Sequence, residues 1–101
     1  MYFITCFEKL PHKNSFDSGS SRCFGYYITF EEADRAVREN RCDIHECLYE
    51  YCFIEKIEPG LHAYCDPQKD RQLYQYQFET GEWESIPEPL CLTHIVNWAI
   101  G

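Results

Sequence analysis

From Leu73 to Phe78 the chain alternates without a break, Tyr74, Tyr76 and Phe78 on one side and Gln75 and Gln77 on the other. Successive side chains of a strand point to opposite faces, so a period of two marks a β-strand. Glu79-Thr80-Gly81-Glu82 then reads as a tight hairpin and Trp83 to Ile86 as the return strand, ended by Pro87-Glu88-Pro89. A chain with this segment folds around an antiparallel pair.

Other runs extend the sheet. Tyr2 to Glu8 is strongly β-prone and apolar on both sides, the pattern of a strand covered on both faces. Cys23 to Ile28 is a short strand-like stretch, and Tyr49, Tyr51 and Phe53 alternate before Ile54 to Ile57 continues the run. Leu61 to Tyr64 offers a further short strand. Pro11 to Gly19, Pro59-Gly60 and Asp66-Pro67-Gln68-Lys69-Asp70 carry turn and loop chemistry.

One helix is written clearly. Thr29-Phe30-Glu31-Glu32 is a capping-box pattern, Phe30, Ala33, Ala36 and Val37 share a face, and Asn40 suits a left-handed C-terminal cap. The expected helix spans about 30–40, with Ile28 stapled onto Ala33 and with Glu31/Arg35 and Asp34/Arg38 as i, i+4 ion pairs. Cys42 to Leu48 reads as a short helical turn. Leu92, Ile95, Val96 and Ala99 have helical spacing, although the β-branched residues there keep a strand in play. The expectation is a single α+β domain over 1–101: a sheet of about five strands, antiparallel or mixed, with one or two helices on one face.

Composition narrows the function classes. Aromatic residues make up 17% of the chain and hydrophobic ones 45%, enough for a core and against disorder. The net charge of −8 disfavours direct binding to nucleic acid or to anionic membranes. No apolar run approaches the 18 residues of a membrane span, and the first residues lack an export signal, so a cytoplasmic setting is expected. Cysteines at 6, 23, 42, 47, 52, 65 and 91 are odd in number and read mainly as reduced, buried thiols.

Three stretches, Met1 to Glu8, Gly19 to Arg22 with Phe24-Gly25-Tyr26-Tyr27, and Asn97 to Gly101, resemble a group of small acidic proteins from anaerobic Gram-positive gut bacteria and their prophages. That resemblance brings no activity, cofactor or catalytic residue. It implies a mobile-element setting, in which small acidic proteins act by binding and blocking.

Two candidate sites follow. Gly19, Ser20, Ser21 and Arg22 can turn amide hydrogens inward as an anion nest, with hydroxyls and a guanidinium adding donors, and Tyr26 or Tyr27 can stack on a base. This chemistry suits a phosphorylated or nucleotide-like ligand, and hence a non-catalytic sequestering protein, a sponge for an immune second messenger in phage counter-defence. The alternative rests on Glu79, Glu82, Glu84 and Glu88 around Trp83. Residues 51–101 hold eight acids against Lys56, Lys69 and Arg71, so the hairpin can imitate a phosphate backbone and block a basic groove on a host defence protein, as an anti-CRISPR-type inhibitor does. Cys42-x-x-His45 and His62-x-x-Cys65, with Cys47 and Cys52 nearby, have zinc-ligand types, but Cys-x-x-Cys is absent and the intervening strand would have to return both pairs to one point, so no metal or cofactor is expected. A homodimer sharing a pocket fits the aromatic content.

Overall fold

A computed structural model describes residues 1–10, 18–60, 65–66, 70–89 and 98–99. Residues 92–97 of the expected C-terminal helix and the short strand over 61–64 lie outside the described residues.

The sheet has five strands: β1 (Tyr2–Phe7), β2 (Ser21–Tyr27), β3 (Tyr51–Lys56), β4 (Arg71–Gln77) and β5 (Glu82–Ile86). They are ordered β2-β1-β3-β4-β5 and every neighbouring pair is antiparallel. This is the α+β expectation, with the sheet wholly antiparallel and one α-helix among the described residues. β1, read as covered on both faces, lies between β2 and β3, while β2 and β5 are the edges. The β1–β2 register shifts between Ile4 and Thr5, a bulge beside Gly25.

Helix α1 (Phe30–Arg38) packs on one face. The Thr29 hydroxyl accepts the Glu32 amide at 3.2 Å, and Asn40 follows the helix with φ 50°, as the cap reading requires. Asp34 and Arg38 form the expected ion pair at 3.0 Å. The staple does not form: Ile28 is 70% exposed, because the chain leaves β2 pointing it to solvent.

Under α1, Ala33, Ala36 and Val37 meet Ile4 and Cys6 of β1, Cys52 and Ile54 of β3, Tyr74 of β4 and Trp83 of β5. The other face carries Phe7, Phe53 and Leu73, with Leu10, Tyr51, Ile86 and Trp98 packed on them. Trp98 stacks on Phe7 at 4.5 Å and on Phe53 at 5.2 Å between ring centroids. Both faces of the central strands are covered, which is why Tyr2 to Phe7 shows little polar alternation.

Six cysteines fall among the described residues and all are free thiols. Cys6, Cys52 and Cys65 are buried, but Cys23, Cys42 and Cys47 are exposed, which corrects the expectation of mainly buried thiols. Cys23 sits on an edge strand and Cys42 and Cys47 on the segment after α1, places where the sheet and helix leave them uncovered.

Candidate functional site

The Gly19–Arg22 segment closes the turn back from β1 into β2. Glu8 and Lys9 amides donate to Ser20 and Ser18 carbonyls, both at 3.1 Å, so the loop is zipped to the end of β1. Gly19 has φ +71°, and a Cβ there would stand 2.9 Å from the Glu8 Cβ. A carboxylate of the chain already occupies this turn: the Ser20 amide donates to Glu8 at 3.0 Å. Arg22 is also engaged, 3.2 Å from Glu46 and with its guanidinium 4.9 Å from the Phe24 ring centroid. Ser21 starts β2 opposite Phe7.

Tyr26 and Tyr27 take opposite faces of β2. Tyr26 lies against Phe3 at 5.3 Å between centroids and is exposed, whereas Tyr27 belongs to the helix-side core. The cation beside Tyr27 is Arg41, which the sequence reading did not single out. Its guanidinium donates to the Tyr27 hydroxyl at 3.2 Å and pairs with Glu39 at 3.0 Å, two contacts that raise its pKa further above its ordinary value. Phe24, Tyr27, Arg41, Cys42 and Ile44 line a cleft of about 180 Å³ beside α1. Sequence spacing pointed to this neighbourhood through the tyrosines; Arg41 was hidden because it arrives from beyond the helix.

The segment that delivers Arg41 is unusual. Asn40, Cys42, Asp43, Glu46 and Cys47 all have positive φ, and none is glycine. Tertiary contacts hold it. The Asn40 side-chain oxygen accepts the His45 amide at 3.0 Å and the Trp83 indole at 3.1 Å. His45 is stacked on Tyr76 at 3.7 Å, and its Nδ1 faces the Tyr49 carbonyl, so Nδ1 carries the hydrogen. The zinc-type residues are not gathered: Cys42 and Cys47 are exposed, Cys65 is buried beside Glu55 and Arg71, His62 lies outside the described residues, and no cluster able to hold a metal occurs among the described residues.

At the opposite edge, the β4–β5 hairpin places Glu79 in the turn and Glu82 and Glu84 on β5, all exposed. None of the three has an ion pair among the described residues. Trp83 and Glu88 differ from the sequence picture. The alternation of β5 turns Trp83 into the core, away from its acidic neighbours, and Glu88 is drawn to Arg71 at 3.6 Å instead of facing solvent.

Beneath the other face is a buried charge cluster with no local signal in the sequence. Glu55 and Arg71 are register partners on β3 and β4, 3.3 Å apart, with both side chains fully buried. Glu55 also accepts the Trp98 amide at 2.8 Å and the Ala99 amide at 3.0 Å. Burial pushes the Glu55 carboxyl up to about 7, against the lowering effect of those amides and Arg71. Cys65, beside them, is pushed up to about 11 by burial and is no nucleophile at neutral pH.

Comparison with protein-family models, with curated proteins and with solved structures returns no match. Among the described residues no helix is long and apolar enough to cross a membrane.

Proposed function

We propose that this chain is a non-catalytic binding module that presents the acidic β4–β5 hairpin to a basic partner protein. The observation that carries this reading is the state of the charges. Arg22, Arg38, Arg41, Lys56 and Arg71 are each paired with a carboxylate of the chain, while Glu79, Glu82 and Glu84 have no cation. Three carboxylates of a chain with net charge −8 thus stand without an ion pair on the β4–β5 hairpin, and β5 is an edge strand whose outward amides and carbonyls can also accept a partner strand. Glu82 and Glu84, two residues apart, stand about 7 Å from each other along β5, close to two nucleotide steps of about 3.4 Å each, which suits a groove built for nucleic acid. A host defence protein with such a groove fits the mobile-element setting.

The test is a nuclear magnetic resonance titration with a peptide of alternating lysine and valine. Amide shifts confined to 79–86, weakened by raised salt and abolished by joint Glu79→Gln, Glu82→Gln and Glu84→Gln replacement, support the reading. Equal shifts at Glu31 and Glu32 of α1, or none on β5, sink it.

A second reading keeps a small ligand, favoured by the Arg41–Tyr27 contact at the cleft. Its volume of about 180 Å³ suits one aromatic ring, whereas ligand sites usually occupy roughly 300–1,000 Å³. Calorimetry with cyclic and linear nucleotides beside single-ring acids, on wild type and Arg41→Ala, separates a nucleotide sponge from a ring-sized pocket.

A further inference from the structure

Cys6 and Cys52 stand directly opposite each other on β1 and β3. The kind of pairing at this position follows from the ladder. Met1 and Ile57 exchange both backbone hydrogen bonds, at 3.1 and 2.8 Å. Antiparallel pairs alternate between bonded and non-bonded, so Phe3/Glu55 and Thr5/Phe53 are bonded pairs while Tyr2/Lys56, Ile4/Ile54 and Cys6/Cys52 are not. The Lys56 amide agrees, because it donates to Asp70 on the far side of β3 at 2.7 Å. At a non-bonded pair the Cα atoms approach to about 4.5 Å, inside the roughly 4.4–6.8 Å range that a disulfide spans. Both side chains are fully buried on the face under α1, where the Cys52 thiol donates to the Phe53 carbonyl at 3.8 Å.

We propose that Cys6 and Cys52 are a disulfide-forming pair, a covalent site that joins the two central strands when the chain meets a low-molecular-mass disulfide before or during folding. The Cys52 thiolate attacks the external disulfide RSSR, giving a mixed disulfide with release of RS⁻. The Cys6 thiolate then attacks the Cys52 sulfur, forming the Cys6–Cys52 bond and expelling a second RS⁻. The two cysteine protons end on the two released thiolates, so RSSR gains the two electrons that the pair loses.

Burial decides when this happens. With no exposed surface, and with the Cys52 thiol raised well above its ordinary pKa by desolvation, the folded pair presents no accessible thiolate. Because the pair lies on central strands, exchange must wait for the sheet to open. The exposed Cys23, Cys42 and Cys47 have no such protection. The folded chain therefore takes oxidised glutathione at its surface cysteines while the core pair stays reduced, and the refolding chain forms the core bond. This inference is independent of the hairpin reading, since the pair lies under α1 and away from β5.

The experiment uses the whole chain with Cys23, Cys42 and Cys47 replaced by serine. It is refolded from urea in oxidised and reduced glutathione, quenched with an alkylating agent, digested and mapped by mass spectrometry. The expected product is a linked Cys6–Cys52 peptide pair, forming at least tenfold more slowly when the protein is already folded. Closing so long a loop should raise the thermal midpoint by roughly 10 °C, a shift reversed by dithiothreitol and absent in Cys6→Ala and Cys52→Ala. Should either alanine variant fail to fold, the map of the parent chain decides alone. Cys6 and Cys52 recovered free, or linked mainly to Cys65 or Cys91, would overturn the proposal, as would a linked protein that melts below its reduced form.

Discussion

Two carboxylates and one guanidinium share the interior below Trp98, so full ionisation would leave the Glu55–Arg71–Glu88 cluster with an unbalanced negative charge. The perturbation is pH, with Glu55→Gln as the control. Burial raises the Glu55 carboxyl from 4.5 to about 7 in the folded protein. Between those values the folded chain keeps a proton that the unfolded chain has lost. The stability this supplies is therefore complete below about pH 4.5 and is lost as pH rises through 7. At 1.36 kcal/mol per pKa unit the ceiling is about 3.4 kcal/mol, and linkage gives a difference of about 2.5 kcal/mol between pH 5 and pH 8. Glu88 is also raised by burial and adds in the same direction. Guanidinium unfolding, with a slope of roughly 3 kcal/mol/M for a domain of this size, should place the pH 5 midpoint about 0.5–1 M above that at pH 8. Glu55→Gln removes the Glu55 titration at every pH, so its difference between the two conditions should shrink to the contribution of Glu88 and other groups. Wild type and variant with the same pH slope, or wild type gaining stability towards pH 8 relative to the variant, would refute the reasoning.

Four further outcomes are expected. Tyr74→Phe removes a hydroxyl that donates to Asp34 from inside the core, and should cost about 1.5 kcal/mol in denaturant unfolding, the low end for a charged acceptor because Asp34 is partly exposed. In wild type, burial and Asp34 raise the Tyr74 phenol, so absorbance titration should show it still protonated when exposed tyrosines have ionised. Asn40→Gly keeps the left-handed backbone but loses the acceptor for His45 and Trp83, whereas Asn40→Ala loses both; chemical denaturation should rank alanine below glycine by about 1 kcal/mol. Gly19→Ala drives a Cβ into Glu8 at a positive φ and should cost about 1–2 kcal/mol, read from the thermal midpoint, with nuclear magnetic resonance shifts concentrated at Glu8 and Ser20.

Local chemistry made the framework readable. The alternation at Leu73–Phe78 and the glycine turn after it produced β4 and β5, because period-two patterning and turn residues act over a few positions. The Thr29 cap and Asn40 bounded α1 for the same reason. Cys42 to Leu48 was less legible. The left-handed residues there and at Asn40 just before are Cys, Asp, Glu and Asn instead of glycine, so nothing local announces the turns, and contacts from Trp83 and Tyr76, far along the chain, hold them. Glu55 shows the same limit, since a glutamate in a strand reads as solvent-facing until Arg71 is placed beside it by register and Trp98 above it by the path of the C-terminal segment.

The candidate sites follow the same division. Residue types at 19–22 suggest an anion-binding turn, and in the structure its Ser20 amide is taken by the Glu8 carboxylate. What residue types cannot state is whether the chain fills such a turn itself. Here Glu8 comes from the preceding strand because β1 and β2 are zipped through Ser18 and Ser20, and Glu46 reaches Arg22 because the left-handed segment after α1 returns to the end of β2. A phosphate entering this turn would have to displace the Glu8 carboxylate and break the Arg22–Glu46 ion pair, each exchange running against a net charge of −8. On β5 that opposition is absent. Glu79, Glu82 and Glu84 are exposed and without an ion pair among the described residues, so a cationic partner gains their attraction without first breaking an ion pair of the fold.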